Sequence, residues 1–393
     1  MKCILMNKNT EVIILEYNTI LNGFSEVYEL KNIEYAPLII FNSYKENNND
    51  DIILTNLSEW FKGRGIPSWR DELDLLLSRL NITTPRELLD KAFGLSLSDQ
   101  YWIKPYDSDI LYNDINFFEH DFEDSDFVDL TFGSNISVDK INLMSPNNTT
   151  DGRLKKTWII DNDKRYLLKS GYKSEVMQPF NEVLATKICE RLNFYHVSYT
   201  LEVIHNQVVS KCPCFINTST ELITAYQVLH KNCDKINAYE DYIKILEDNN
   251  ILNVRESLED MIILDYIILN EDRHLNNFGI IRNVETLKWE SMAPIFDNGQ
   301  SLNIIDYNDE EVLAKGDGRF FYGPISFDDM LLNIKNINRY DLSKLDGIVE
   351  EFEKLLKDYS HITNMTDRRI NKICTLLYSR INKLKRYIDH YIV

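Results

Sequence analysis

Apolar and polar positions alternate in short runs early in the chain and settle into helical spacing later. Glu11-Val12-Ile13-Ile14-Leu15 and Pro37-Leu38-Ile39-Ile40-Phe41 read as β-type runs separated by polar stretches. Ser68 then opens a helix, with Asp71 three residues on and Trp69, Leu73, Leu76, Leu77 and Leu80 on one face. A second helix has a full start signal: Thr84 as N-cap, Pro85 in the first turn and Glu87 as the capping-box partner. Gly94 stops it. These elements make a first block of residues 1 to 135.

In residues 136 to 225 the pattern is that of a small α+β unit. Trp158-Ile159-Ile160, a turn-rich Asp161-Asn162-Asp163 and Arg165-Tyr166-Leu167-Leu168-Lys169 form a β-hairpin. A helix follows near 180 to 193, with Val183, Ile188 and Leu192 apolar and Glu182, Lys187 and Glu190 polar. Strands are expected at Val197 to Ile204 and Gln207 to Ser210. Residues 226 to 393 are mostly helical. Met261, Leu264, Tyr266, Ile268 and Leu269 make an apolar helix that runs into Asn270-Glu271-Asp272-Arg273-His274, and two helices close the chain near 345 to 359 and 366 to 390. The last carries seven Lys and Arg against two Asp. Cations towards the end of a helix suit its dipole.

Composition narrows the function classes. The chain has 393 residues, 44% of them hydrophobic, enough for two or three domains and too apolar for wholesale disorder. Its net charge of −19 repels phosphate backbones and anionic lipid, so neither direct nucleic-acid binding nor membrane binding is expected. The N-terminal apolar run is too short for a signal peptide, and no segment reads as a transmembrane helix. Six cysteines over this length read as reduced thiols, which points to the cytoplasm. Cys212-Pro213-Cys214 has no second Cys or Cys/His pair to complete a zinc site. The segment from Asp107 to Asp129 holds nine acids and no Lys or Arg, interleaved with Phe117, Phe118, Phe122 and Phe127. It reads as a solvated loop packed by its aromatics, or as a docking surface for a basic partner.

The residues that carry chemistry occur in a fixed order. Phosphoryl transfer needs placed charge: a small-residue loop over the phosphates, a Lys on the next hairpin and an acid on the following helix to hold it. A second lobe must then supply an Asp near the attacking hydroxyl, an Asn five residues on for magnesium, and a second magnesium Asp before a Gly. Here Thr149-Thr150-Asp151-Gly152 precedes the hairpin, Lys169 ends its second strand, and Glu182 lies thirteen residues on. Asp272 and Asn277 stand five apart, and Asp297-Asn298-Gly299 follows Ile295-Phe296. Ile280-Ile281 and Pro294-Ile295-Phe296 are expected to pair as the hairpin that presents Asp297. Each motif alone is weak; order, spacing and setting together make the case.

Asn270-Glu271-Asp272-Arg273-His274-Leu275-Asn276-Asn277-Phe278-Gly279, followed by Ala293-Pro294-Ile295-Phe296-Asp297-Asn298-Gly299-Gln300-Ser301-Leu302, resembles the HipA-like kinase family. Ser96-Leu97-Ser98-Asp99-Gln100-Tyr101-Trp102 and Pro179-Phe180-Asn181-Glu182 are similar to bacterial members of the group, so the likeness spans about residues 55 to 305. It implies an α+β, two-lobed protein-kinase-like (HipA-like) fold with an additional N-terminal α/β domain, whose N-lobe is 136 to 225 and helical C-lobe 226 to 393. It further implies a bacterial serine/threonine kinase that uses ATP and Mg2+, in a family where several members are toxins held by a DNA-binding antitoxin.

Carried over by residue, Asp272 is the catalytic carboxylate, Asn277 and Asp297 hold magnesium, and Lys169, held by Glu182, contacts the phosphates. Thr149, Thr150 and Gly152 form the phosphate loop. Some members carry an autophosphorylated serine there, which makes Thr149 and Thr150 the autophosphorylation candidates. Adenine is expected against Cys214-Phe215-Ile216. His274 reads as a structural residue of the loop or a phosphate contact, and Arg273 as a charge screen or a phosphate contact. Two other readings stay open. The phosphate loop has one Gly where a protein kinase has three, which fits a kinase-fold adenylyltransferase or a small-molecule or lipid kinase. The acidic, aromatic segment and the first 55 residues fit a non-catalytic nucleotide-binding scaffold.

Overall fold

A computed structural model of the chain describes residues 1–18, 23–47, 49–67, 76–78, 80, 90–122, 124–133, 142–150, 153–172, 176–229, 237–302 and 317–391. The expected helix starts at Ser68 and Thr84, with Trp69, Asp71, Leu73, Pro85 and Glu87, lie outside the described residues, as do Asp151 and Gly152. The chain folds into two compact units, neither continuous in sequence. The first holds Met1–Leu168, Cys214–Ile223 and Ile280–Glu290; the second holds Lys169–Pro213, Thr224–Gly279 and Ser291–Val393.

In the first unit, β1 (Lys2–Asn7), β2 (Thr10–Asn18), β3 (Gly23–Leu30) and β4 (Tyr101–Pro105) form an antiparallel sheet in the order β3-β2-β1-β4. Leu5, Ile13 and Leu15 face helices α1 (Leu38–Asn47) and α2 (Asp50–Gly63), where Ile40, Ile53, Leu57 and Phe61 complete one core. The expected strand over Pro37–Phe41 is therefore the start of α1. Pro37 presets the first turn and its carbonyl accepts from the Ile40 and Phe41 N–H groups. A five-residue apolar run cannot distinguish a strand from a buried helix turn.

The opposite face of the sheet, with Ile4, Met6 and Ile14, packs on Leu95, Leu97, Trp102, Phe117 and Phe122. Helix α3 (Ser125–Phe132) adds buried Phe127 and Leu130 to a smaller cluster with Leu77 and Leu80. The acidic segment is thus held by its aromatics. Several buried polar groups are paired. Arg64 grips Asp99 with both terminal nitrogens at 2.6 and 2.9 Å. Gln100 Nε2 donates to the carbonyls of Asn217 and Thr220, and Trp102 Nε1 donates to that of Lys8 at 2.7 Å. Those contacts account for the Asp99-Gln100-Tyr101-Trp102 segment.

Strands β5 (Lys156–Asp161) and β6 (Lys164–Ser170) flank Asn162 and Asp163, both at positive φ, the backbone of a two-residue type I′ hairpin. The chain crosses into the second unit within β6, delivering Lys169. There α4 (Gln178–Leu192) is followed by the hairpin of β7 (Thr200–Ile204) and β8 (Gln207–Pro213). Back in the first unit, β9 (Thr220–Thr224), β10 (Gly279–Asn283) and β11 (Trp289–Met292) form a sheet in the order β11-β10-β9. The expected pairing of Ile280-Ile281 with Pro294–Phe296 is thus corrected, since the partner of β10 is β11. Pro294 has no N–H to give a ladder. Ile295 instead makes a single parallel bridge to His196.

The rest of the second unit is helical: α5 (Ala238–Asp248), α6 (Val254–Ile268), α7 (Ile348–Asp358) and α8 (Asp367–Tyr391). One short ribbon, β12 (Asp317–Phe320) with β13 (Gly323–Ser326), interrupts them. Among the described residues no helix is long and apolar enough to cross a membrane.

Candidate active site

Three of the residues expected to carry chemistry, Lys169, Glu182 and Asp297, meet within the second unit. Lys169 is buried, and its Nζ donates to Glu182 Oε1 and to Asp297 Oδ1, each at 3.1 Å. Burial opposes a charge there, but the Asp297 and Glu182 carboxylates outweigh it and hold the ammonium pKa well above its ordinary value. Glu182 projects from the second turn of α4, and its Oε2 accepts the Asn298 N–H at 2.9 Å. One buried carboxylate therefore ties the lysine strand to the Asp297-Asn298-Gly299 turn.

That turn is backed closely by α4. A Cβ on Gly299 would lie 3.2 Å from Gln178 Cβ, and Asn181 Nδ2 donates to the Gly299 carbonyl at 2.9 Å. Asp297 sits at φ 55°, a left-handed conformation that costs about 1 to 3 kcal/mol in a non-glycine residue and persists where the surroundings enforce it. Its N–H donates to Tyr199 Oη at 3.3 Å, and Tyr199 Oη also lies 3.5 Å from Lys169 Nζ. Sequence reasoning missed Tyr199, because it is joined to the lysine only through the fold.

The loop after α6 carries the second set. Leu269, at φ 52°, turns the chain out of the helix. Arg273 then anchors the loop from inside. Fully buried, it donates to Asp265 at 2.9 and 2.8 Å, to the carbonyls of Asn277 and Phe296 at 3.1 and 2.6 Å, and to Asn298 Oδ1 at 2.6 Å. With its donors so committed, Arg273 is a structural clamp, not the phosphate contact held open by the sequence, and Asp265 is its counter-ion. Burial works against the guanidinium charge, and Asp265 more than restores it.

Asn277 Nδ2 donates to the Asp272 carbonyl at 2.9 Å, closing the loop on itself. The Asp272 side chain is 38% exposed, with Arg319 Nη1 at 3.4 Å and His274 Nε2 at 3.9 Å. Burial raises its pKa above the usual carboxylate range; His274 and Arg319 pull it back, and Asp297 pushes it up. His274 Nδ1 accepts the Asn276 N–H at 3.2 Å, which leaves Nε2 to carry the ring proton.

The remaining expected site residues lie in the first unit. Thr149 ends a 3-10 turn and donates to the carbonyls of Leu95 and Pro146 at 2.9 and 3.1 Å. Thr150 is buried and donates to the Asn147 carbonyl at 3.2 Å. The Cys214 N–H donates to the Arg165 carbonyl at 2.8 Å, and burial pushes its thiol up to about 11. Ile216 is buried, and its carbonyl faces Cys214 Sγ at 3.6 Å.

A lysine–glutamate pair, an Asp-bearing loop closed by an Asn and an Asp-x-Gly turn, fixed in one unit, are the parts of a protein-kinase-like fold. More particularly, the fold is HipA-like. The Shewanella oneidensis toxin–antitoxin protein HipA, solved in complex with HipB and operator DNA, is similar over 98% of this chain and 97% of its own, at 12% identity and a TM-score of 0.52. The Helicobacter pylori proinflammatory kinase CtkA is similar over 61% of this chain and 95% of its own, at 18% identity and a TM-score of 0.48. The sequence matches no protein-family model and no curated protein.

The donor set suits magnesium. Among the described residues no cluster of three or more His, Cys, Asp or Glu could cage a metal. Magnesium is ordinarily held by one or two carboxylates together with substrate phosphates and water. Asp297, one-third exposed and already drawing a cation in Lys169, is a carboxylate of that kind.

Proposed function

We propose that the chain is an ATP-dependent protein serine/threonine kinase of HipA-like type. The observation that carries this reading is the Lys169 ammonium held between Glu182 and Asp297 at 3.1 Å each, in the same unit as the Asp272–Asn277 loop. A buried lysine that stays charged is suited to phosphate, and Glu182 fixes its position before any nucleotide arrives. Asp297 and Asn277 would hold magnesium, which when bound neutralises charge on the phosphates. Asp272 takes the proton of a serine or threonine hydroxyl as that oxygen bonds to the γ-phosphorus and ADP leaves.

The likeness to a HipA solved with HipB supports a protein partner of antitoxin type and a toxin-like role. The fold alone is equally compatible with adenylate transfer. Incubation with acceptor protein and ATP labelled on either the α- or the γ-phosphate separates the two. Label from the γ-position alone, lost in Asp272→Asn, is the expected result. Label from the α-position would replace this reading with adenylyl transfer, and no transfer of either label would overturn both.

A further inference from the structure

Arg319 touches the proposed catalytic carboxylate and was not singled out by the sequence. It lies on β12, and its Nη1 is 3.4 Å from Asp272 Oδ1. Its support is rigid. The neighbouring Gly318 is pressed on the start of the catalytic loop, where a Cβ would meet the Phe327 ring at 2.9 Å and the Asn270 carbonyl at 3.2 Å. Phe320 and Phe321, on the other side, are held by rings: Tyr239 at 5.4 Å from Phe320, and Phe278 and Tyr242 at 5.5 and 5.8 Å from Phe321. Phe321 also bridges to His274 through the backbone.

The arginine itself is 62% exposed, and among the described residues Asp272 is the one carboxylate within ion-pair distance. A guanidinium has five N–H donors in a planar fork. One loose contact to Asp272 leaves most of that fork facing solvent at the place where an acceptor hydroxyl must approach.

We propose that Arg319 determines acceptor specificity by selecting a hydroxyl flanked by an acidic group, a carboxylate or a phosphate. This rests on the kinase reading above. The strongly acidic chain as a whole governs which partners approach; Arg319 reads the residue beside the hydroxyl once they have arrived. An exposed ion pair of this kind is worth about a 1.5- to fivefold preference.

The test uses the full-length protein, [γ-32P]ATP, magnesium and a positional-scanning library of serine and threonine peptides, with glutamate, phosphoserine, lysine or alanine beside the acceptor. Wild type should favour the acidic peptides through a lower KM, and the glutamate and phosphoserine arms show which acid it reads. Arg319→Ala should flatten the preference, Arg319→Lys should restore part of it, and Arg319→Glu should turn it towards lysine. A structural role alone would lower kcat on every peptide alike, would lower the melting temperature, and would overturn the proposal. So would phosphorylation by wild type with no acidic preference, which leaves the kinase reading intact. Absence of transfer to any peptide and to the protein itself would remove the kinase reading, and this inference with it.

Discussion

The clamp formed by Asp265 and Arg273 allows the sharpest prediction about stability. Neither side chain has any exposed surface. Replacing Asp265 by Asn leaves the guanidinium without its counter-ion, and breaking a buried pair in this way costs about 3 to 5 kcal/mol. In a unit of some two hundred residues each kcal/mol shifts the midpoint by about 2 to 4 °C, so the melting temperature should fall by about 6 to 20 °C. Replacing both partners, Asp265→Leu with Arg273→Met, removes the uncompensated charge but leaves the Asn277 and Phe296 carbonyls without that donor. The double variant should therefore stay below wild type, yet lose about 2 kcal/mol less than the summed single losses. Differential scanning calorimetry on wild type, both singles and the double measures all four corners. A drop of under about 2 °C in Asp265→Asn, or additivity within about 0.5 kcal/mol, would refute the idea that this pair organises the loop.

Three further outcomes follow from named contacts. Lys169→Met leaves Glu182 buried without its cation and should cost about 3 kcal/mol or more by calorimetry; adding Glu182→Gln should recover part of that stability while nucleotide binding stays lost. Gly94→Ala forces a left-handed φ of 70° on alanine and sets its Cβ 2.6 Å from a Phe61 ring atom, so the first unit should lose about 2 to 4 kcal/mol. In the proposed kinase reading, transfer needs Asp272 ionised, and burial raises its pKa. The rate should therefore fall with decreasing pH at a point above the ordinary carboxylate range, visible in a pH–rate profile of kcat/KM.

Much of the second unit was legible because its chemistry is ordered along the chain. Lys169, Glu182, Asp272, Asn277 and Asp297 are short-range motifs whose sequence order matches the order of parts in a kinase-like fold, and the apolar stripe of α6 marks where the loop begins. Tyr199 and Arg319 were not legible. Each reaches the site through a contact made by the fold, and nothing in its local sequence separates it from an ordinary tyrosine or surface arginine. Arg273 was seen but left undecided, since a cation beside acids reads alike whether it faces phosphate or a buried partner. Pro37–Phe41 and Pro294–Phe296 failed for a different reason. Short apolar runs fix burial without fixing period, and a proline's missing donor decides pairing only once the neighbouring strand is known.

The central claim is that Lys169, Glu182, Asp297 and the Asp272–Asn277 loop form one magnesium-nucleotide site. Calorimetric titration of ATP into the full chain, with and without magnesium, tests it most directly. The account predicts magnesium-dependent binding that weakens by about tenfold or more in both Lys169→Met and Asp297→Asn. Absence of binding by wild type, or equal affinity in both variants, would contradict it.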